Sequence, residues 1–490
     1  MPGMWRTAGR GTIWLIRALA LGLVVSIVLL VTGAVMYLNS GPELSLWHQV
    51  ELDEEFTEDS DVASFAEYLA LEERLFAQLE EEIVDEVPVG REFALNRYSR
   101  GSMVNPDRWP VNWNRSFELE SPDAKAGVLL LHGMSDSPYS LSGLGKTLHE
   151  RGAWVVGLRI PGHGTVSSGL VTATWKDMAA AARLALEHVA EKVGDAPVYV
   201  VGYSNGGALA VQYVLSTVGE DDAVRPAGVV LISPAIGVSP IARFAVWQAR
   251  LGWLLGVERL AWNSVGVEYD PFKYGGFAVN AGDQAYRITA EIHRLLSELQ
   301  STGKLGGLPP ILAFQSLVDA TVSTPALVDG LFEHLPREVP HELVLFDVNR
   351  TTVALSMLSA DPADTFRPML ADTTLPFKLC VLTNRSPDTR KVHTSCRAPG
   401  ETRTRERRLA LSWPTEVYSL SHVAMPFPED DPLYGHLHPE RSPGLQIGGL
   451  AFRGERGVLA VSASALLRLT WNPFHPYLAE RVLDFTGLSR

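Results

Sequence analysis

Short apolar runs alternate with amphipathic segments along most of the chain. Apolar runs of strand length occupy residues 126–131, 153–160, 198–203, 228–233, 311–317 and 343–348. Amphipathic helical patterns occupy residues 141–150, 175–193 and 325–335. Continuous apolar strands that alternate with helices predict a mostly parallel sheet with helices on both faces. Residues 91–98 and 116–119 are predicted as edge strands of that sheet.

The N-terminal segment has a different pattern. Residues 19–38 contain no charged side chain, and twenty residues form a helix of about 30 Å, the thickness of the hydrocarbon core of a bilayer. Three arginines precede this stretch and Glu43 follows it. The positive-inside rule therefore predicts that residues 1–40 form a cytoplasmic tip and a transmembrane anchor in the inner membrane, with the rest of the chain on the periplasmic side. A cleavable signal peptide is the competing interpretation, and it also predicts export.

Negative charge is concentrated in the next segment. Residues 51–86 contain fifteen acidic side chains and one basic one, while the whole chain has a net charge of −14. Such acidity argues against nucleic acid as a partner. Apolar residues recur in this segment at helical spacing: Val62, Phe65, Leu69, Phe76, Leu79 and Ile83. Residues 41–90 are therefore predicted as an acidic amphipathic helix that packs on the main domain or forms a stalk, and a coiled-coil dimer stays open.

The turn after the third apolar run carries the first candidate for chemistry. The sequence there is Gly202-Tyr-Ser-Asn-Gly206, and an apolar helical pattern follows it. A serine between a strand and a helix, with glycines two residues away on either side, is typical of a strained turn. Such a turn holds the Ser204 hydroxyl above the sheet, where it can act as a nucleophile. An ordinary strand-to-helix turn is the alternative if the chain supplies no catalytic partners.

Acyl transfer by a serine also requires donors for the oxyanion, a base, and a carboxylate that orients the base. The first apolar run ends in His132-Gly133, where the loop can turn so that the N–H of Met134 faces the serine. The N–H of Asn205, the residue after the serine, is the second predicted donor. His132 could itself act as the base, but we interpret it as a structural loop residue.

Polar residues after later runs complete the set. Asp319 follows the fifth apolar run, where a buried carboxylate needs a partner such as an imidazole. Asp347, after the sixth run, is the alternative acid. His422 follows the strand-like residues 415–421 and is the predicted base. Its rivals lie in loop or proline-rich contexts: His436, His438 and His475.

In this order of serine, acid and histidine, the chain resembles the α/β-hydrolase serine hydrolases. The resemblance is to the monoacylglycerol lipase, lysophospholipase and serine aminopeptidase-like branch. The matching pieces are Leu130-Leu-His-Gly-Met-Ser-Asp-Ser-Pro138, Leu158-Arg-Ile-Pro-Gly-His-Gly164, Gly202-Tyr-Ser-Asn-Gly-Gly207, Val318-Asp319 and Ser421-His422. The resemblance implies an α/β-hydrolase fold, a triad of Ser204, Asp319 and His422, and a structural role for His163.

One predicted insertion, over residues 236–308, occupies the place of a lid in such enzymes. Its apolar side chains include Phe244, Trp247 and Trp253. An apolar, aromatic-rich cap above the nucleophile suits an acyl chain. A helical cap that only buries its own apolar face is the alternative.

A second predicted insertion, over residues 349–412, contains the two cysteines of the chain. If residues 378–384 and 391–397 are the arms of a hairpin, Cys380 lies opposite Cys396. In an oxidising compartment the pair is predicted to form a disulfide. Two free buried thiols are the alternative.

These features together predict that residues 91–490 form a serine hydrolase domain. Its predicted substrates are small-molecule or lipid-like carboxylic esters, cleaved through an acyl-enzyme, with membrane contact through the N-terminal helix. No metal or organic cofactor is expected. An aminopeptidase or amidase on the same triad is the alternative among enzymes. A membrane-tethered binding protein on an inactive hydrolase fold is the alternative of another class.

Overall fold

The computed structural model describes residues 14, 17–26, 28–30, 32–33, 36, 43–237, 258–358, 360–450 and 466–489. From residue 43 onward the helices are α1 (Leu46–Gln49), α2 (Phe65–Leu79), α3 (Tyr139–His149), α4 (Gly169–Thr172), α5 (Trp175–Val193), α6 (Asn205–Ser216), α7 (Val279–Ser301), α8 (Thr324–Gly330), α9 (Thr352–Ser356), α10 (Ala363–Ala371) and α11 (His475–Phe485). The strands are β1 (Phe117–Leu119), β2 (Ala126–Leu131), β3 (Ala153–Leu158), β4 (Val198–Tyr203), β5 (Gly228–Ile232), β6 (Trp262–Ser264), β7 (Phe277–Ala278), β8 (Ile311–Ser316), β9 (Glu342–Phe346), β10 (Lys378–Asn384), β11 (Lys391–Arg397) and β12 (Arg405–Ser412).

Ten strands form one sheet in the order β1-β3-β2-β4-β5-β8-β9-β10-β11-β12. The strands from β3 to β10 in this order run parallel, and β1, β11 and β12 pair antiparallel at the two ends. Strands β6 and β7 form a separate two-stranded sheet. The predicted parallel sheet is confirmed, and in such a sheet the loops after the strand carboxyl ends carry the site.

Strand β4 shows why these apolar runs become central strands. Side chains alternate between the faces of a strand, so a strand covered on both faces must be apolar throughout. Val200 packs into the core shared with α5, α6 and α7, whereas Val201 and Tyr203 pack into the core shared with α3 and α11. Both cores are therefore anchored on the strand that leads to Ser204.

The second insertion extends the sheet by three strands. Strand β10 pairs parallel with β9, and β11 and β12 follow as antiparallel neighbours. Within the hairpin, Cys380 lies directly opposite Cys396 and the two form a disulfide, which confirms the predicted pairing. The exposed strand β12 was not predicted, because its run of arginines lacks the apolar alternation of a half-buried strand.

Two predicted strands are wrong. Residues 91–98 contain a 3₁₀ turn at Arg91–Phe93 and further turns, because the backbone N–H of Arg97 bonds to the carbonyl of Glu268 and not to a sheet neighbour. Residues 415–421 are a loop, whose carbonyls at Val417 and Tyr418 accept hydrogen bonds from Asn349. These segments contain strand-forming residues, but polar groups elsewhere take up their backbone hydrogen bonds.

The predicted transmembrane helix at residues 19–38 is a further correction. In the described part of the chain, no helix combines the length and the apolar character that crossing a membrane requires. Residues 27, 31, 34, 35, 37 and 38 of the predicted segment lie outside the described residues. The predicted anchor and its membrane contact are therefore not supported by the described part of the chain.

The acidic segment packs against the main domain. Tyr68 and Leu71 of α2 are buried in the same core as strands β2 and β3. The stripe includes Leu75, which the predicted spacing missed, and leaves Leu69 only half-buried. Glu72 lies within the buried face as well, since it pairs with the buried guanidinium of Arg159 at 3.2 Å.

Arg159 joins this segment to the loop after β3. Its guanidinium also binds the Glu55 carboxylate at 2.9 Å and the carbonyl of His163 at 3.1 Å. The Glu72 carboxylate accepts hydrogen bonds from the backbone and hydroxyl of Ser116. Burial raises the pKa of Glu72, and the charge of Arg159 opposes this rise. A buried cation held by two carboxylates makes residues 55–72 an integral part of the domain.

We predict that Glu72→Gln destabilises the protein by about 3 kcal/mol, because it removes one of the carboxylates that balance a fully buried guanidinium. Glu73→Gln is the matched control, because Glu73 is the next residue along the chain and its side chain is 74% exposed. The Glu73 carboxylate pairs with Arg115 at the surface. The control should cost less than about 1 kcal/mol. Urea unfolding of both variants measures the difference, and equal shifts would contradict the role given to Arg159.

Candidate active site

Ser204 occupies a turn that only small neighbours allow. Its backbone has φ 53° and ψ −116°, a left-handed conformation that is costly for a residue with a side chain. A Cβ on Gly202 would lie 2.4 Å from the carbonyl oxygen of Gly206, and a Cβ on Gly206 would lie 2.1 Å from that of Leu131. Both glycines are therefore required for β4 and α6 to meet at this angle, with Ser204 at the junction.

The Ser204 hydroxyl has an imidazole partner. Its Oγ lies 3.0 Å from Nε2 of His422, within hydrogen-bond distance. The other ring nitrogen of His422, Nδ1, lies 2.8 Å from Oδ2 of Asp319. With the ring proton on Nδ1, His422 donates to Asp319 and accepts from Ser204. The structure thus brings together the three residues that the sequence predicted as a triad.

Asp319 is held as an ionised carboxylate. Its side chain is fully buried, and its Oδ1 accepts hydrogen bonds from the backbone N–H groups of Thr321 and Val322 at 2.8 and 2.9 Å. Burial alone would raise the pKa of Asp319, but the hydrogen bond and charge of His422 and the two N–H donors lower it. The carboxylate can therefore orient the imidazole without taking its proton.

His422 begins a 3₁₀ turn, His422–Ala424, at the end of a long loop. The hydroxyl of Ser316, at the end of β8, donates to the carbonyl of Leu420 at 2.9 Å. Asn349, just beyond β9, binds the same loop through its side chain and backbone. These two anchors return the chain to the sheet after the three-strand insertion and fix the position of the histidine. Sequence reasoning missed both, although each follows the end of a parallel strand.

The loop after β2, which carries the predicted oxyanion donor Met134, lies against Ser204. A Cβ on Gly133 would lie 3.1 Å from the Cβ of Ser204. The N–H of Gly206 donates to the carbonyl of His132, which fixes the loop to the first turn of α6. The amide hydrogens of Met134 and Asn205 donate to no described residue, so both remain available to a bound oxyanion.

Two histidines next to this loop, His132 and His163, bind backbone groups. His132 Nε2 accepts from the N–H of Ile160 at 3.0 Å, and its Nδ1 lies 2.9 Å from the carbonyl of Gly133. Burial lowers the pKa of His132 well below its usual value and that of His163 to about 4. Both rings therefore stay neutral and hold backbone groups, as the sequence interpretation proposed.

The remaining rivals lie away from the serine. Asp347 forms an ion pair with Arg350 at 2.7 Å and accepts from the hydroxyl of Thr383. His436 pairs with Glu429, His438 pairs with Glu440, and His475 is buried at the start of α11. The geometry therefore selects Asp319 over Asp347 as the partner of His422.

The predicted cap residues Phe244, Trp247 and Trp253 lie outside the described residues. A cavity of 1120 Å³ runs along α3 and is lined by none of the three triad side chains. No group of side chains suited to a metal ion occurs in the described ranges.

Asp136 and Lys273 are two charged residues at the site that sequence reasoning left without a role. The Asp136 carboxylate lies 3.2 Å from the position that a Cβ on Gly133 would occupy, and it pairs with Lys273 at 3.3 Å. Asp136 belongs to one of the motif pieces quoted above, but Lys273 is 137 residues away and only the fold reveals the contact.

Part of the chain matches a known protein family. Residues 122–346 match the family described as serine aminopeptidase, S33. None of the curated proteins compared with the chain matches it. Among solved structures, the chain is similar to a monoacylglycerol lipase from Paleococcus ferrophilus (18% identity, 47% of this chain and 88% of that one, TM-score 0.35). It is also similar to a soluble variant of monoglyceride lipase from Saccharomyces cerevisiae (17% identity, 47% of this chain and 81% of that one, TM-score 0.34). A third similar structure comes from the metagenome-derived lipolytic enzymes LipS and LipT (22% identity, 48% of this chain and 88% of that one, TM-score 0.37).

The family match covers the strained serine turn, the loop before it and the strand that leads to Asp319. The sheet order and the crossover helices are those of the fold that the sequence predicted. Residues 122–346 therefore match a serine hydrolase family, and the described sheet has the α/β-hydrolase fold.

Proposed function

We propose that this protein hydrolyses carboxylic esters by a two-step acyl transfer. Ser204 is the nucleophile, His422 the general base and Asp319 the carboxylate that orients the base. The observation that carries the proposal is the pair of hydrogen bonds that joins the three, at 3.0 and 2.8 Å. A serine hydroxyl is a weak nucleophile unless a base within this distance removes its proton as it attacks.

In the first step, Ser204 attacks the ester carbonyl while His422 Nε2 takes the hydroxyl proton. The positive imidazolium is stabilised by the Asp319 carboxylate on Nδ1. His422 then gives the proton to the departing alkoxide, and the acyl group stays on Ser204. In the second step, water attacks the acyl-enzyme by the same route and releases the acid.

The backbone N–H groups of Met134 and Asn205 stabilise the negative charge that develops on the carbonyl oxygen. Their backbone N–H groups supply two donors, and Asn205 is also the first residue of α6. The N-terminal end of a helix carries a partial positive charge that favours an anion. Because these donors belong to the main chain, their contribution depends on loop position and not on side-chain identity.

An aminopeptidase is the second candidate, because the matched family is described as a serine aminopeptidase. Recognition of a free peptide amine calls for a carboxylate that it can pair with. Beside Ser204 in the described part of the chain, the Asp136 carboxylate is already paired with Lys273. This favours an uncharged acyl group over a free amine, and the apolar composition of residues 238–257 favours lipid-like esters.

We also propose that the domain works outside the cytoplasm. The disulfide between Cys380 and Cys396 supports this, because such bonds persist in oxidising compartments and are rare in the cytosol.

The purified protein should hydrolyse p-nitrophenyl esters and leave aminoacyl p-nitroanilides unchanged. Ser204→Ala should lower kcat on the esters by roughly 10⁴-fold or more, because no other group can form the acyl-enzyme. Ser216→Ala, at the far end of α6, is the matched control and should keep full activity. Ester hydrolysis that survives Ser204→Ala, or a clear preference for the anilides, would contradict the proposal.

Replacing each candidate acid in turn should separate them. Asp319→Asn should lower kcat by roughly 10⁴-fold, since the amide favours the wrong tautomer of His422. Asp347→Asn should lower the melting temperature, because Arg350 loses one of its charged partners and keeps only Asp361, but should leave kcat near that of the wild type. Steady-state kinetics and thermal melts on both variants test this. Loss of kcat in Asp347→Asn alone would show that the acid is misassigned.

A further inference from the structure

A tripeptide in the first insertion holds the loop that carries Met134. Phe272 stacks on Tyr139, the first residue of α3, with ring centroids 4.4 Å apart. Tyr274 donates its backbone N–H to the carbonyl of Ser135 at 2.9 Å. Between them, the Lys273 ammonium pairs with the Asp136 carboxylate at 3.3 Å. We name residues 272–274 the wedge, because they contact both α3 and the loop after β2. That loop, residues 132–138, carries Met134 and is called the oxyanion loop below.

The wedge is itself fixed on its other side. The Tyr274 hydroxyl accepts from the N–H of Thr165 at 2.9 Å and donates to the carbonyl of Gly162 at 3.3 Å. Thr165 and Gly162 belong to the loop after β3, which Arg159 and the acidic segment hold in place. The oxyanion loop is therefore tied to a rigid neighbour and not only to its own strand.

The held loop contains a backbone strain. Ser135 has φ 63°, a left-handed conformation that is uncommon for a residue other than glycine. Such a conformation persists where surrounding contacts over-determine it. Here the Ser135 carbonyl accepts a hydrogen bond from the N–H of Tyr274. The next residue, Asp136, is held by its ion pair with Lys273. Without them, the turn at residues 134–136 would relax and the Met134 N–H would change direction.

The Asp136 carboxylate depends on Lys273 for its charge balance. Its side chain is 4% exposed, while that of Lys273 is 28% exposed and reaches in from the insertion. Burial raises the pKa of Asp136, and Lys273 opposes the rise. A buried carboxylate that loses its cation is costly, so the loop would move to bring Asp136 to water.

We propose that Lys273 and Asp136 are positioning residues for the oxyanion hole: their ion pair, with the Tyr274–Ser135 bond, aims the Met134 N–H at the oxygen that becomes negative on attack. This inference rests on the proposed function. Neither side chain donates to the substrate. Both act through the loop, which lies against Ser204 at Gly133.

The kinetics of Lys273→Met test the proposal. We expect kcat on a p-nitrophenyl ester to fall by about 10²-fold, the size of loss that a misplacement of about 1 Å produces, with little change in KM. Inhibition by a phenylboronic acid, whose tetrahedral serine adduct uses the same donors, should weaken with kcat. Lys273→Arg should restore most of the activity, because a single charged contact is enough to hold Asp136. Lys176→Met, which removes an exposed lysine paired with Glu58, is the matched control and should behave as the wild type.

A double variant separates positioning from stability. Lys273→Met combined with Asp136→Asn leaves no unpaired buried charge, so it should regain the melting temperature lost in Lys273→Met. It should not regain kcat, because the tie to the loop is still missing. Recovery of both would show that Lys273 is only structural and would overturn the inference.

Two other outcomes would also overturn it. A folded Lys273→Met protein with unchanged kcat would show that the ion pair does not aim the donor. A raised KM at unchanged kcat would make Lys273 a substrate-binding residue. Wild-type protein that hydrolyses no ester contradicts the proposed function instead, so the wild type is measured first and the two failures are distinct.

Discussion

The structure depends on the close approach of three backbone segments around Ser204. Strand β4 turns into α6 so tightly that Gly202 lies against Gly206, and Gly206 lies against the carbonyl of Leu131 at the end of β2. This contact holds the serine in a left-handed conformation above the sheet. It also places the loop after β2 beside the serine, so that one packing constraint presents the hydroxyl and locates the oxyanion donors together.

A second constraint reaches the site from a distance. The buried guanidinium of Arg159 joins the acidic N-terminal segment to the loop after β3. That loop binds His132 through the N–H of Ile160, and His132 accepts the N–H of Gly206 at the start of α6. The same loop supports the wedge through Tyr274. The acidic residues 55–72 are thus part of the set of contacts that fixes the turn at Ser204.

The sequence predicts this site well where the chemistry depends on neighbours along the chain. The glycines around Ser204 and the acid after β8 are local signals, and the two cysteines fall opposite one another because a hairpin has a simple register. Long-range contacts are different. Residues 415–421 have a strand-like composition, but Asn349 and Ser316 hold them as a loop. Glu72 interrupts an apolar stripe, and only the position of Arg159 explains why a carboxylate is buried there.

The same limit applies to the N-terminus and to charge pairs at the site. An uncharged apolar run satisfied the length rule for a membrane helix, but the structure describes no helix that meets it. Lys273 carries no local signal at all, since its partner Asp136 lies in another motif far along the chain. Short-range pattern therefore predicts the three side chains that meet at Ser204, whereas contacts such as Asp136–Lys273 and Asn349 with its loop are visible only in three dimensions.

Ser204 is the proposed nucleophile of this protein, activated by His422. A fluorophosphonate forms a stable covalent bond with a serine only when a base and oxyanion donors assist the attack. Intact-mass and peptide-mapping mass spectrometry after treatment with such a probe tests the claim directly. We expect one adduct per chain, on the peptide that contains Ser204. A folded protein that takes up no probe, or one labelled at another serine, would contradict it.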